Sequence, residues 1–208
     1  MGEIELIVGC MFCGKTRELL RKIRMELVSE RKVQLFKPII DNRYDNKSII
    51  THDKDNLTAI PVESTEDIYN YLEDDVNVIC IDEIQFFDDK IVDFCLEQAN
   101  RNKKIIASGL NLDFRGEPFK FRNSNKHIGE LMPYSLVYHL RAICKYKKDD
   151  SKICGRPADF SQRLIDGKPA SYNSPLILVG AEETYEARCR KHFFILKNNK
   201  MKQEKDSI

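Results

Sequence analysis

The sequence has almost no excess of charge of either sign: 34 Lys and Arg stand against 33 Asp and Glu, a formal net charge of +1. A protein that lives on the phosphate backbone of DNA or RNA usually carries a basic excess, so nucleic-acid binding as the main role is disfavoured. Long apolar runs are missing too, which argues against a bilayer-spanning segment. The opening MGEIELIVG carries acids at Glu3 and Glu5 and does not have the form of a signal peptide. Leu6 stands where a myristoylation signal wants Ser or Thr. A disulfide framework is not indicated, because the seven cysteines are odd in number. Thiols in that number point to a reducing compartment, with metal binding or packing as their use. The expectation is a soluble, cytoplasmic protein with no membrane partner.

What is present is a globular composition, with 42% hydrophobic and 32% charged residues in 208 positions. A chain of this size can bury about 70% of its unfolded surface, enough for one real core and a small appendage. Ile4 to Val8 reads as a buried strand that ends in Gly9. Lys15 to about Ser29 reads as a helix with Leu19, Leu20, Ile23 and Leu27 on one face. Val33 to Phe36 follows as a strand stopped by Pro38, and the polar stretch from Asp41 to Asn56 as a long loop. A short helix around Ile68 and Leu72, a strand from Val76 to Ile81, a helix from Asp88 to Asn100 and a strand from Lys104 to Ala107 complete the pattern. In the last helix Ile91, Val92, Cys95 and Ala99 face inward. Strands alternating with helices imply an α/β fold with a largely parallel sheet. From about Arg141 cysteines become frequent and short strand-like pieces replace helices. We therefore expect a domain at 1–140, a second at 141–196 and a disordered tail at 197–208.

Gly9-Cys10-Met11-Phe12-Cys13-Gly14-Lys15-Thr16 matches the phosphate-binding pattern G-x-x-x-x-G-K-[ST]. Its two glycines allow a backbone path that aims successive N–H groups at phosphate oxygens, and the following helix adds its N-terminal dipole. Lys15 is expected to reach the β- and γ-phosphates of a nucleoside triphosphate and Thr16 to ligate Mg²⁺. Val78-Ile79-Cys80-Ile81-Asp82-Glu83 is an apolar strand ending in two acids, with Asp82 expected on Mg²⁺. Of two adjacent carboxylates one can hold metal while the other takes a proton or orients a nucleophile.

Cys189-Arg190-Lys191-His192 is a C-x-x-H pair, and Cys144 and Cys154 lie upstream at a looser spacing. Four such ligands from two segments would form a closed, structural Zn²⁺ site; the alternative is scattered free cysteines. Cys10 and Cys13 also form C-x-x-C, but a loop wrapped around phosphate leaves no room for a second metal knuckle. A redox role for that pair is the other reading. Cys80 and Cys95 are expected to pack in the core, and His127 and His139 are isolated.

The P-loop G-x-M-F-x-G-K-T, the strand-end Asp82-Glu83-Ile84-Gln85-Phe86-Phe87 and the stretch from Ser108 to Phe119 (SGLNLDFRGEPF) together resemble the type II thymidine kinases. That resemblance covers Glu3 to about Phe194. It implies a RecA-like ATP domain with a small zinc-stabilised lasso domain, ATP and thymidine as substrates, feedback inhibition by dTTP, and a homotetramer. It implies Glu83 as the catalytic base that accepts the proton of the deoxyribose 5′-hydroxyl. It places Ile84, Gln85 and Arg43 (of the Asp41-x-Arg43 motif) with the ATP site. Met11, Leu110 and Phe114 become apolar walls for thymine, and a lasso from Ser161 through Tyr185 holds the base, with Leu178 and Tyr185 in contact.

The sequence departs from the family pattern at Cys10, Cys13, Asn111 and Lys120, and by the insertion 145–153 between the first two proposed zinc ligands. Two rivals from other classes are a RecA-like ATPase or zinc ribbon acting on DNA, through Lys145 to Lys148, and an inert nucleotide sensor. Asp149 and Asp150 neutralise the basic segment, and intact Lys15, Thr16, Asp82 and Glu83 argue against inertness.

Overall fold

The computed structural model describes residues 2–39, 58–147, 152–176 and 183–196. Asp41, Arg43, Leu178, the expected long loop and the expected tail lie outside these residues. The chain divides into two compact units. The first comprises Met1–Gly9, Gly14–Asn111 and Pro118–Leu140, and the second Cys10–Cys13, Leu112–Glu117 and Arg141–Ile208.

The first unit is built on a six-stranded sheet. Its strands are β1 (Ile4–Gly9), β2 (Val33–Pro38), β3 (Ile60–Val62), β4 (Val78–Ile81), β5 (Lys104–Gly109) and β6 (Leu136–Leu140). They run in the order β3-β2-β4-β5-β1-β6, every pairing parallel. Parallel neighbours need crossovers, and helices α1 (Lys15–Val28), α2 (Thr65–Tyr71) and α3 (Lys90–Asn100) provide them. Side chains alternate between two buried faces. Leu6, Val8, Ile79, Ile81, Ile105 and Ala107 join one apolar cluster with Ile68, Ile91 and Phe94, while Ile7, Val78, Cys80 and Ile106 join the other with Leu19 and Ile23 of α1. Burial on both faces explains why these strands read as continuous apolar runs. Cys80 and Cys95 are both fully buried, and burial pushes the Cys95 thiol up to about 12. Among the described residues no helix is long and apolar enough to cross a membrane.

Two strands escape the sequence reading. β3 has three residues with Pro61 at its centre, a composition tolerated only because it is an edge strand. β6 is the opposite edge, with Leu136, Val137 and His139 exposed, so it lacks the apolar signature of its neighbours. β2 also runs on through Pro38, where its pairing with β4 has already ended at Phe36↔Ile81 and only β3 is a partner. The short helix α2 starts at a capping box: Ser64 Oγ accepts from Asp67 N at 3.3 Å and Asp67 Oδ2 accepts from Ser64 N at 3.0 Å.

Periodicity gave no warning of charge inside this unit. Glu5 of β1 is buried between Lys104 of β5, 2.5 Å away, and Lys22 of α1, also 2.5 Å away. Lys104 also reaches Glu26 at 2.9 Å, and the Lys22 ammonium lies 3.6 Å from the centre of the Tyr138 ring. Burial alone would raise the Glu5 pKa, but the two ammonium groups outweigh it and hold the carboxyl below its ordinary 4.5.

A depressed carboxyl contributes stability above its unfolded value and loses it as the pH falls through the folded one. Removing one partner of a buried pair strands the other charge. Lys104→Met leaves Glu5 with Lys22 as its one ammonium and is expected to lower unfolding free energy by about 1–3 kcal/mol at neutral pH, read from denaturant midpoints. The gap to the wild type narrows as acid protonates Glu5. Equal midpoints at neutral pH would contradict this account.

Among the described residues, the second unit has a smaller core. Its strands are β7 (Ala142–Ile143) and β8 (Pro157–Ala158), paired antiparallel, and β9 (Phe160–Ile165), β10 (Lys168–Pro169) and β11 (Glu183–Arg188), in the antiparallel order β10-β9-β11. One apolar cluster here consists of Cys10, Ala142, Cys144, Ala158, Ala187 and Cys189. Side chains this small bury little area, so the unit needs another source of stability.

Candidate active site and metal centre

In the first unit the functional side chains gather at the carboxyl ends of β1, β4 and β5, the end at which open parallel sheets place their ligands. Gly9 closes β1, and Gly14 has φ of 91°, a left-handed value that favours glycine, immediately before α1. Lys15, the first residue of that helix, is buried. Because Ile81 pairs with Ala107, Asp82 follows level with Ser108 of β5. The Ser108 hydroxyl donates to Asp82 Oδ1, and the Glu83 N–H donates to the same oxygen at 3.1 Å. Thr16 Oγ1 donates to Asp82 Oδ2 at 3.2 Å. The structure thus brings Thr16 and Asp82 together, as the motif spacing implied, and adds Ser108 to them. That serine opens the stretch 108–119 that carries the resemblance, but its contact with Asp82 has no signal in the sequence.

Glu83 takes a left-handed backbone, φ 52°, so the chain leaves β4 in a sharp turn. Burial, and then the neighbouring Asp82 carboxylate, raise its pKa above the ordinary 4.5; the Gln85 amide, Lys15 and Lys37 pull the other way. Gln85 Nε2 donates to Glu83 Oε2 at 2.6 Å, while Leu110 N donates to Gln85 Oε1 at 3.0 Å. Ile84 is fully buried in the apolar cluster of the sheet. Asn111, one of the departures from the family pattern, has a buried Oδ1 with no hydrogen-bond partner among the described residues.

The second unit holds the other group of expected residues. Ser161 Oγ accepts from Met11 N at 2.9 Å, and Cys10 Sγ donates to Ala158 O at 3.3 Å, so the middle of the glycine-rich loop is tied to β8 and β9. Phe114 and Tyr185 are joined by a residue that sequence reasoning missed. Arg163 is 1% exposed, its guanidinium lies 4.1 Å from the Phe114 ring centre, and its Nε donates to Tyr185 Oη at 2.7 Å. Its other nitrogens donate to Pro175 O and Leu176 O, both at 2.5 Å. Arg115 donates in the same manner to Tyr172 O and Ser174 O, each at 2.8 Å, and is paired with Asp113. The planar guanidinium forks of these arginines fix four carbonyls of the segment 172–176. A single arginine in FSQRLI gives no hint of burial, so no pattern could have singled out Arg163. Tyr185 also lines a cavity of about 390 Å³ with Phe12, Ile143 and Lys145.

Cys144, Cys154, Cys189 and His192 come together with all four ligand atoms within 4.8 Å of one another. Cys144 Sγ and Cys189 Sγ lie 3.7 and 3.6 Å from His192 Nδ1, and Cys154 Sγ lies 4.0 Å from Cys189 Sγ. A tetrahedral Zn²⁺ with ordinary bond lengths requires about 3.6 Å between S and N and about 3.8 Å between two S atoms. The four residues fit that requirement. The insertion does not spoil it, because Cys154 N donates to Tyr146 O at 2.8 Å and Cys144 N to Arg156 O at 2.8 Å. The described residues on either side of 148–151 are therefore paired with one another, which keeps Cys144 and Cys154 together. Burial, then the cations Lys191, Arg188 and Arg156, lower the His192 pKa, which favours the neutral imidazole that a metal binds. Tyr146 stacks on that ring, with centroids 4.2 Å apart.

This cluster could hold a structural zinc, and closed four-residue coordination leaves no position for catalytic water. Sites of this kind bind with apparent free energies of about 10–16 kcal/mol, enough to make up for a small core. Metal analysis of the purified protein is expected to find about one zinc per chain. Cys154→Ser is expected to lose the metal and the protease resistance of the second unit; a folded, zinc-free wild type would contradict the assignment.

The family model for thymidine kinase matches residues 2–193, almost the whole described chain. On that match, with the strand-end acids and the Cys/His cluster in place, the chain belongs to the thymidine kinase family.

Proposed function

We propose that the chain transfers the γ-phosphoryl group of ATP to the 5′-hydroxyl of thymidine, with Glu83 as general base. The observation that carries this reading is the pair of strand-end carboxylates in unlike surroundings. Asp82 accepts hydrogen bonds from Ser108, Thr16 and the Glu83 N–H, whereas Glu83 is raised by burial and by Asp82. Two neighbouring acids in such unlike surroundings can divide the work, one as a metal ligand and one as a proton acceptor.

Thr16 Oγ1 and Asp82 Oδ2 are 3.2 Å apart, close to the about 2.9 Å between adjacent oxygen ligands of an octahedral Mg²⁺. Thr16 and Asp82 would hold Mg²⁺ there, and the ion would supply neutralisation of the phosphate charge. The backbone from Gly9 to Gly14 cradles the phosphates and Lys15 supplies a cation to them. The 5′-oxygen forms its bond to the γ-phosphorus as the bond from that phosphorus to the β-bridging oxygen breaks. The hydroxyl proton passes to Glu83 and ADP departs. For the nucleoside we assign Met11, Leu110, Phe114 and Tyr185, with Arg163 and Arg115 holding the segment 172–176 within the expected lasso. The zinc cluster suits the zinc-bearing type II branch of the family.

Glu83→Gln is expected to lower kcat by about 10²- to 10⁴-fold while ATP affinity, measured by calorimetry, is retained. Survival of most of the rate would sink the assigned role. Lys15→Ala is expected to lose nucleotide affinity as well as turnover. A base must be ionised to act, so its raised pKa places the acid limb of the kcat profile above the ordinary glutamate value of 4.5. A limb at or below that value would contradict the assignment.

A further inference from the structure

We propose that Gln85 is the positioning residue of the phosphoryl-transfer site, aiming the Glu83 carboxylate through one hydrogen bond whose direction is fixed by the end of β5. The proposal rests on Glu83 being the base. Gln85 is 1% exposed, and both ends of its amide are engaged inside the first unit. Its Oε1 accepts the Leu110 N–H at 3.0 Å and its Nε2 donates to Glu83 Oε2 at 2.6 Å. The backbone donor settles which end is which. A flipped amide would set NH₂ against the Leu110 N–H and a carbonyl oxygen against a carboxylate, two repulsive contacts in place of two bonds.

Gly109 leaves room for this arrangement: a Cβ there would lie 2.5 Å from Gln85 Oε1 and 2.8 Å from Ile84 Cγ2. The last residue of β5 is thus shaped around the amide. Neither end of Gln85 is left over for a separate role in gripping nucleotide, which sharpens its earlier placement with the ATP site.

The hydrogen bond has two effects on Glu83. It selects one orientation for a side chain on a left-handed turn, and it stabilises the ionised form that accepts the proton. The charged groups that act on the carboxylate besides this amide are Asp82 on the same turn, Lys15 of α1 and Lys37 of β2. Asp82 opposes ionisation and the two lysines favour it. Gln85 is the one neutral donor to the Glu83 carboxylate among the described residues, and Gln85→Met removes it without altering any of those charges.

The test is the pH dependence of kcat in Gln85→Met and Gln85→Glu, alongside the wild type and Glu83→Gln, with zinc content and ATP affinity measured for each. Gln85→Met removes the donor at nearly constant volume and is expected to move the acid limb upward by about one pH unit. It should also lower plateau kcat roughly tenfold, with the KM for ATP within about twofold of wild type. Gln85→Glu keeps an acceptor for the Leu110 N–H but sets a second carboxyl against Glu83, so its limb is expected to move further in the same direction. A merely structural residue would lower the yield of folded protein without moving the limb. An unmoved limb in either variant that binds ATP normally overturns the proposal. The base assignment fails separately, and visibly, if the limb persists in Glu83→Gln. Should one variant not fold, the other decides, since each removes the same donor.

Discussion

A carboxylate cannot be buried without donors, and Asp82 meets that constraint at the point where β4 ends beside β5. Ser108, Thr16 and the Glu83 N–H satisfy it, which ties the phosphate-loop helix and two strands to a single side chain. The left-handed turn at Glu83 follows from the same geometry: the chain must leave the strand sharply for the next carboxylate to stand apart from the first. The parallel order of the sheet makes this possible, because it delivers the carboxyl ends of β1, β4 and β5 to one edge. The buried network of Glu5, Lys22, Glu26 and Lys104 is independent of this edge and links β1, α1 and β5 elsewhere in the same unit.

The two units solve stability by different physics. The first buries alternating faces of a sheet under helices and tolerates interior charge because each charge is paired. The second has a smaller apolar interior, with Phe114, Phe160 and Leu164 beside a cluster of alanines and cysteines, and adds directional contacts. Its cysteine and histidine atoms stand at tetrahedral spacing, and the guanidinium groups of Arg115 and Arg163 collect four backbone carbonyls from the segment 172–176. A buried guanidinium is costly without acceptors for its N–H groups and a favourable ring face, and Arg163 has both in the two carbonyls, the Tyr185 hydroxyl and the Phe114 ring.

Much of this was legible in the residues, for identifiable reasons. Strands buried on both faces carry an unbroken apolar signal, so β1, β4 and β5 were readable while the half-exposed β6 and the proline-centred β3 were not. The glycine-rich loop, Asp82 and Glu83 announced themselves because phosphate chemistry demands those residue types at that spacing. Cys144 and Cys154 were readable as candidate ligands despite their separation, since an insertion within a hairpin need not move its ends. Ser108 and Arg163 owe their contacts to partners 26 and 22 positions away, which no local pattern encodes, while Gln85 was placed near the site by resemblance but its bond to Leu110, 25 positions away, was not. Arg43 and Leu178 rest on the resemblance alone, as they fall outside the described residues.

The most direct measurement of the central claim is ADP release from ATP across a panel of nucleosides, with single-stranded DNA as a further arm. The account predicts turnover that depends on thymidine, yields thymidine 5′-phosphate in equal amount to ADP, and is indifferent to DNA. Turnover stimulated by DNA and not by thymidine would contradict it.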